Sequence, residues 1–201
     1  MDHALPFSQA CENNRQPILD VLQRHLLTPL QLLEIGGGTG QHGEFLARHL
    51  PLVTWQSSDR PANVDSLNLR INHAHLTNLP PAIALDVQDD PWPVTTVDAV
   101  FTANTLHIMS MAAVEKFFAG IKRHLAPQGL LLVYGPFKYN GSFTTDSNAR
   151  FDLWLKERDP LSGVRDFEVI DGLASRAQLR LLQDYKMPAN NQLLVWERNG
   201  R

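Results

Sequence analysis

Leu32-Leu33-Glu34-Ile35-Gly36-Gly37-Gly38-Thr39-Gly40 decides the reading of this chain. Two leucines and an isoleucine form a short apolar run that suits a buried strand. Gly36, Gly38 and Gly40 follow at alternate positions, and Gln41 to Leu50 then reads as a helix. A strand, a glycine turn and a helix let backbone approach a nucleotide-like ligand closely. The bland alternative is a tight strand-to-helix turn with no ligand. Glu34 interrupts the run near its end. A buried carboxylate is costly unless paired, so near this loop it either organises the loop or reaches a cationic ligand group.

Working outward, residues 1–13 read as irregular and polar, and Pro17 to Leu26 as a helix with Ile18, Leu19, Leu22 and Leu26 on one face. Gln31–Ile35 is the first strand. Leu52 to Trp55, leading to Ser57-Ser58-Asp59, is the second. Asn63 is placed to cap a helix over Val64 to His73. Ala82–Leu85 and Val97–Thr102 are the third and fourth strands. Ala112 to Leu125 is amphipathic, with Val114, Phe117, Phe118, Ile121 and Leu125 at helical spacing. Leu130–Tyr134 is almost continuously apolar, as a central parallel strand should be. Strands alternating with helices predict a doubly wound α/β sheet. Residues 137–151 read as a loop, Arg150–Glu157 as a short helix, and Leu179–Tyr185 with Leu193–Glu197 as an edge hairpin.

Composition narrows the partners. The chain has 201 residues, 43% hydrophobic and 19% charged, which suits one domain, 1–201, with a sizeable core. A net charge of −3 and the lack of a basic stripe argue against nucleic acid and against an anionic membrane surface. No apolar run reaches the length of a membrane span, and the N-terminus lacks a signal-peptide pattern. One cysteine, Cys11, excludes an intrachain disulfide and suits a reducing cytoplasm. His73-x-His75 has no third ligand at a metal-like spacing. Nothing in the sequence fixes the oligomeric state.

The acid followed by three alternating glycines resembles the first motif of class I S-adenosylmethionine-dependent methyltransferases, acid-x-Gly-x-Gly-x-Gly. Four further blocks, Cys11–Leu19, Phe143–Asp152, Arg158–Asp166 and Met187–Asn191, look like an uncharacterised methyltransferase-like family of bacteria and animals. That resemblance implies a doubly wound seven-stranded sheet in the order 3-2-1-4-5-7-6, its seventh strand antiparallel, with Leu179–Glu197 as the C-terminal hairpin. It implies S-adenosylmethionine as cofactor, with Glu34, Gly36, Gly37, Gly38 and Gly40 around the methionine part. Asp59 would serve the ribose hydroxyls. Arg60 stands where the family has a residue near the adenine, either stacking or facing water. Asp86 would accept from the adenine amino group, with the Val87 N–H beside the ring. After the fourth strand, Asn104 would join the cofactor site under the methionine part, and Asn104 and His107 face the substrate. His107 is either a general base or a packed or capping histidine.

The acceptor is read as a small molecule. The segment 137–166 carries Tyr139, a second candidate catalytic side chain, and Arg150, Arg158 and Arg165, which suit an anionic or zwitterionic substrate under a cover formed by this segment. Of the N-terminal segment and helix, 1–27, the part before Pro17 is placed to close over the same opening. Asn104 lacks the Asn-Pro-Pro-Tyr type of motif used on exocyclic base amines, and Cys11 is not in the turn where a cytosine C5 enzyme needs its nucleophile. A macromolecule-methylating enzyme and a catalytically silent S-adenosylmethionine-binding protein are alternatives. So is an NAD-dependent oxidoreductase, since Gly38, Gly40 and Gly43 also spell Gly-x-Gly-x-x-Gly, with Asp59 about 20 residues on. That reading leaves Glu34 without a role.

Overall fold

A computed structural model describes residues 5–200. Met1–Ala4, part of the segment read as irregular, and Arg201 lie outside the described residues. Seven strands form one sheet: β1 (Leu30–Ile35), β2 (Val53–Asp59), β3 (Ile83–Ala84), β4 (Val97–Ala103), β5 (Leu125–Gly135), β9 (Leu179–Met187) and β10 (Asn191–Arg198). Their order is β3-β2-β1-β4-β5-β10-β9. The first five are parallel, and β10 runs antiparallel to both β5 and β9. With β10 as the seventh strand and β9 as the sixth, this is the expected 3-2-1-4-5-7-6 order. An all-parallel dinucleotide fold has the order 3-2-1-4-5-6, with no antiparallel strand inserted after the fifth.

Side chains alternate across the strands, so neighbouring leucines serve opposite layers. Leu33, Val100, Leu131 and Leu194 pack with Phe117, Ile121 and Ile170 of the helices α4 (Met111–His124) and α6 (Phe167–Arg176). Leu32, Phe101, Leu132 and Val195 face Ile18, Leu46 and Leu67 of α1 (Gln9–His25), α2 (Gln41–His49) and α3 (Pro61–Ala74). Each of these buried side chains contributes about 1.5–3 kcal/mol. A smaller sheet of β6 (Phe137–Tyr139), β7 (Ser142–Phe143) and β8 (Arg165–Asp166) brackets α5 (Asp146–Arg158). None of the described helices is long and apolar enough to cross a membrane.

Several boundaries differ from the sequence reading. α1 begins eight residues early, at Gln9, because Ser8 caps it: its hydroxyl accepts the Cys11 N–H at 3.4 Å. Pro17 therefore lies inside the helix, where it withholds one N–H from the ladder. Pro61 at the first turn, not an Asn63 cap, opens α3. The third strand shrinks to two residues. The segment read as a loop over 137–151 holds β6, β7 and the start of α5, whose first turn is capped by Thr145 accepting from Asn148 at 3.3 Å. The helix α6 was not anticipated.

Candidate cofactor and acceptor site

The loop between β1 and α2 stands at the carboxyl edge of the sheet. Gly36, Gly38 and Gly40 have φ of +75°, +57° and +76°, the left-handed region that favours glycine. The Gly36 and Gly37 N–H groups donate to the Ser58 carbonyl at 3.0 and 2.9 Å, which ties the loop to β2. A Cβ on Gly36 would stand 2.6 Å from Thr105 Cγ2, so this glycine permits a close approach of two loops. A Cβ on Gly38 would meet only the Gly36 carbonyl, at 4.0 Å. The crest of the loop thus opens onto free space.

Glu34 lies beneath that loop and is 2% exposed. Its Oε2 accepts from Trp55 Nε1 at 2.9 Å and from Ser57 Oγ at 2.6 Å. Burial pushes its carboxyl pKa up, while the two hydrogen bonds oppose the shift. A Cβ on Gly37 would come within 3.3 Å of this Oε2, so the carboxylate supports the loop from below. Of the two roles open to Glu34 in the sequence, the structure favours organising the loop over meeting a cationic ligand.

Asp59, 7% exposed, ends β2. Its Oδ2 accepts the Gly38 N–H at 2.8 Å, and its Oδ1 accepts from the Arg60 N–H and Asn63 Nδ2, both at 2.7 Å. Arg60 is exposed. Asp86 follows β3 half-buried, its Oδ1 accepting the Gln88 N–H at 2.9 Å, and Val87 is buried. The cofactor candidates therefore lie along β1, β2 and β3 at the same sheet edge.

Asn104 leaves β4 with φ of +58°, and its N–H donates to the Tyr134 carbonyl at 2.9 Å. His107 is 5% exposed, and its ring meets the Phe151 ring edge-on at 5.3 Å. Burial, helped by the Arg165 charge, lowers its pKa to about 4, so the imidazole is neutral at physiological pH. The turn after α5 clamps the backbone that carries it. Arg165 Nε donates to the Leu106 carbonyl at 3.0 Å, the Gly163 N–H to His107 at 2.9 Å and Ser162 Oγ to Ile108 at 3.0 Å. Arg165 also donates to the carbonyls of Met109 and, at 2.9 Å, Leu161.

A cleft of about 340 Å³ opens beside Asn104. Asn104, Asn148, Asn190 and Asn191 give it carboxamides, Ser147 a hydroxyl, and Pro136, Phe151 and Ala189 apolar surface. None of the three arginines lines it. Arg165 is held by carbonyls, Arg158 lies over the Trp154 ring at 4.6 Å, and Arg150 is exposed. The expectation of an anionic or zwitterionic acceptor loses its motivation here. Tyr139 is also engaged elsewhere: its hydroxyl donates to Asp184 at 2.7 Å and its ring stacks on Phe167. Burial and the Asp184 carboxylate push its pKa up, and it does not line the cleft. A second cleft, of about 260 Å³, lies around Arg15 and Arg70, with Gln41, Glu44 and Phe45 of α2 in its lining.

Asn14 had no role in the sequence reading. It sits in α1, 6% exposed, with its Oδ1 at 2.7 Å from His42 Nε2 and its amide in hydrogen-bonding reach of the Tyr134 hydroxyl. The block Cys11–Leu19 was the only sequence signal that singled out its neighbourhood.

Comparison with known proteins adds to this geometry. The family described as "Protein of unknown function (DUF938)" matches residues 5–198. The O-methyltransferase fsr2 of Gibberella fujikuroi is 25% identical over 197 residues, covering 92% of this chain but 49% of that protein. The chain thus spans about half the length of this curated relative. An O-methyltransferase family protein from Burkholderia thailandensis superposes with a TM-score of 0.80 at 19% identity, covering 95% of this chain and 58% of the other. Human N-acetylserotonin methyltransferase, solved with SAM, gives 0.77 at 17% identity, covering 95% and 53%. An O-methyltransferase family 2 protein from Planctomyces limnophilus, solved with apigenin, gives 0.74 at 17% identity, covering 92% and 62%. The fold is that of the methyltransferases.

Proposed function

The chain belongs to the DUF938 family of proteins of unknown function, and from that premise we propose that it is an S-adenosylmethionine-dependent methyltransferase acting on a hydroxyl group of a small molecule. The observation that carries this reading is the glycine loop. Gly38 is open above and held from the side by Asp59, while buried Glu34 supports the loop from below.

Residues 36–40 would hold the methionine part, Asp59 the ribose, and Asp86 with the Val87 N–H the adenine. Bound there, S-adenosylmethionine supplies an electrophilic methyl group. The remaining work belongs to the chain. The cleft beside Asn104 orients the acceptor for an in-line displacement, and orientation alone lowers such barriers substantially. His107 is the candidate base for the proton that the acceptor hydroxyl gives up; its ring is buried against Phe151 and does not itself line the cleft. Segment 137–166 contributes one wall of the cleft through α5. We place residues 1–201 in one catalytic unit, working in the cytoplasm, which suits the free thiol of Cys11.

Calorimetry with S-adenosylhomocysteine and with NAD tests the reading. Binding of the first and not the second is expected; the reverse would return the chain to the oxidoreductases. A second reading, a binder that never transfers the methyl group, is favoured by the near-complete burial of His107 behind Phe151. Radiolabelled methyl appearing in a small-molecule extract would dismiss it.

A further inference from the structure

We propose that the cleft beside Asn104 takes an uncharged, flat molecule bearing hydroxyl donors, read by the oxygen atoms of Asn148, Asn190 and Asn191 against the ring of Phe151. That this molecule is the methyl acceptor rests on the methyltransferase reading above; its chemistry does not.

The amide orientations carry the argument. Asn148 is 5% exposed, and its Nδ2 donates to Thr144 Oγ1 and to the Asn190 carbonyl, both at 3.0 Å. Asn190 Nδ2 donates to Ser147 Oγ at 3.3 Å. Asn191 Nδ2 donates to the carbonyls of Pro188 and Ala189 at 3.2 and 3.4 Å. All three amide nitrogens are thus engaged within the protein. A carboxamide offers two N–H donors and one acceptor oxygen, so with five bonds made by their six N–H groups these three side chains present mainly oxygen to a ligand. Oxygens welcome O–H donors and oppose a carboxylate, which only accepts.

Charge points the same way. Among the described residues, no ionisable side chain lines the cleft. Arg165 is engaged by three carbonyls and Lys156 by the Asp152 carboxylate at 2.6 Å, while Arg150 of α5 is exposed and outside the lining. An ion entering the cleft would lose water without gaining a counter-charge. The remaining surface is the ring of Phe151, itself stacked on Trp154 at 5.7 Å, with Pro136 and Ala189. An aromatic face and an opening of about 340 Å³ suit a molecule of two or three fused rings.

The test is calorimetry on the full chain with a matched pair, a naphthalenediol and the hydroxynaphthoate in which carboxylate replaces one hydroxyl. Both are titrated with and without S-adenosylhomocysteine. The diol should bind at least about tenfold more tightly. Ser147→Lys, at an exposed position on the rim, should narrow or invert that ratio by favouring the acid. Equal or tighter binding of the acid to the unaltered chain would overturn the proposal. So would the absence of diol binding, or a ratio untouched by Ser147→Lys. A retained diol preference in a protein that ignores S-adenosylhomocysteine would overturn the methyltransferase reading and leave the chemistry of the cleft standing.

Discussion

Asp59 Oδ2 accepts the N–H of Gly38 at 2.8 Å, across 21 residues of sequence. One carboxylate thereby fixes the crest of the glycine loop and stands at the edge where a ribose would be held. Binding at that edge would be coupled to loop geometry through this bond. Asp59→Ala should weaken S-adenosylhomocysteine by about 10- to 150-fold, the equivalent of about 1.5–3 kcal/mol for a charge-assisted hydrogen bond. Calorimetry measures the loss; unchanged affinity would remove Asp59 from the site.

The two positive-φ glycines flanking Gly37 should separate fold from binding. Gly38→Ala adds a methyl where nothing lies nearer than 4.0 Å, with a backbone cost of about 1–2 kcal/mol. It should fold and lose S-adenosylhomocysteine. Gly36→Ala drives its methyl to 2.6 Å from Thr105 Cγ2 and should lose stability first. Paired thermal melts and titrations of the two variants distinguish these outcomes.

Glu34 gives a pH signature. Its carboxyl ionises near 4.5 in an ordinary setting and higher in the fold, because burial disfavours the charge. Its contribution to stability is therefore complete below 4.5 and is lost as pH rises through the folded-state value. Glu34→Gln keeps a carbonyl oxygen for Trp55 and Ser57 without that loss. Urea unfolding of both proteins from pH 4.5 upward should show the variant gaining on the wild type. A difference that shrinks with pH contradicts the assignment.

His42 and His107 act in the opposite direction. Burial lowers both from 6.5 to about 4, so their contribution holds above 6.5 and disappears as pH falls toward about 4. His107→Gln should flatten part of the acid-side loss of stability in urea melts. In a methyl-transfer assay the same change should slow turnover by about 10²–10⁴-fold if the imidazole takes the acceptor's proton.

Arg165→Met should loosen the turn that holds His107. It removes guanidinium hydrogen bonds to the carbonyls of Leu106, Met109 and Leu161. A loss of about 1–3 kcal/mol is expected, the cost of leaving partly buried acceptors unpaired. Hydrogen exchange should rise at residues 106–109 before it rises in β4. Uniform exchange would mean that the clamp is not local.

The sheet was legible because β1, β4 and β5 are apolar runs of strand length that end in turn residues, and the glycine loop because its spacing is local. The first two turns of α1 were not. Glu12, Asn13 and Asn14 read as polar coil, and Pro17 reads as a first-turn residue until the Ser8 cap is seen. Sequence alone leaves Glu34 between two roles and Arg165 assigned to a substrate for a common reason. A charged residue in sequence announces a charge but not its partners, and here those partners come from β2 and from the loop after β4. The place of the cleft, at Asn104 and against segment 137–166, was legible, but its asparagine lining was not, because those side chains come from three separate segments: the turn after β4, α5 and the β9–β10 connection.

The place of β10 has a kinetic consequence. Residues 191–198 follow every other strand in the chain, yet they occupy the interior position between β5 and β9. Until they have left the ribosome, β5 presents an open apolar edge and β9 has no neighbour on the main sheet. Such pairing across long sequence separations is slow, and unpaired edges in the meantime invite aggregation. The sheet therefore closes only once residues 191–198 are free to insert, and until then the exposed edge of β5 is the part of the chain most open to aggregation.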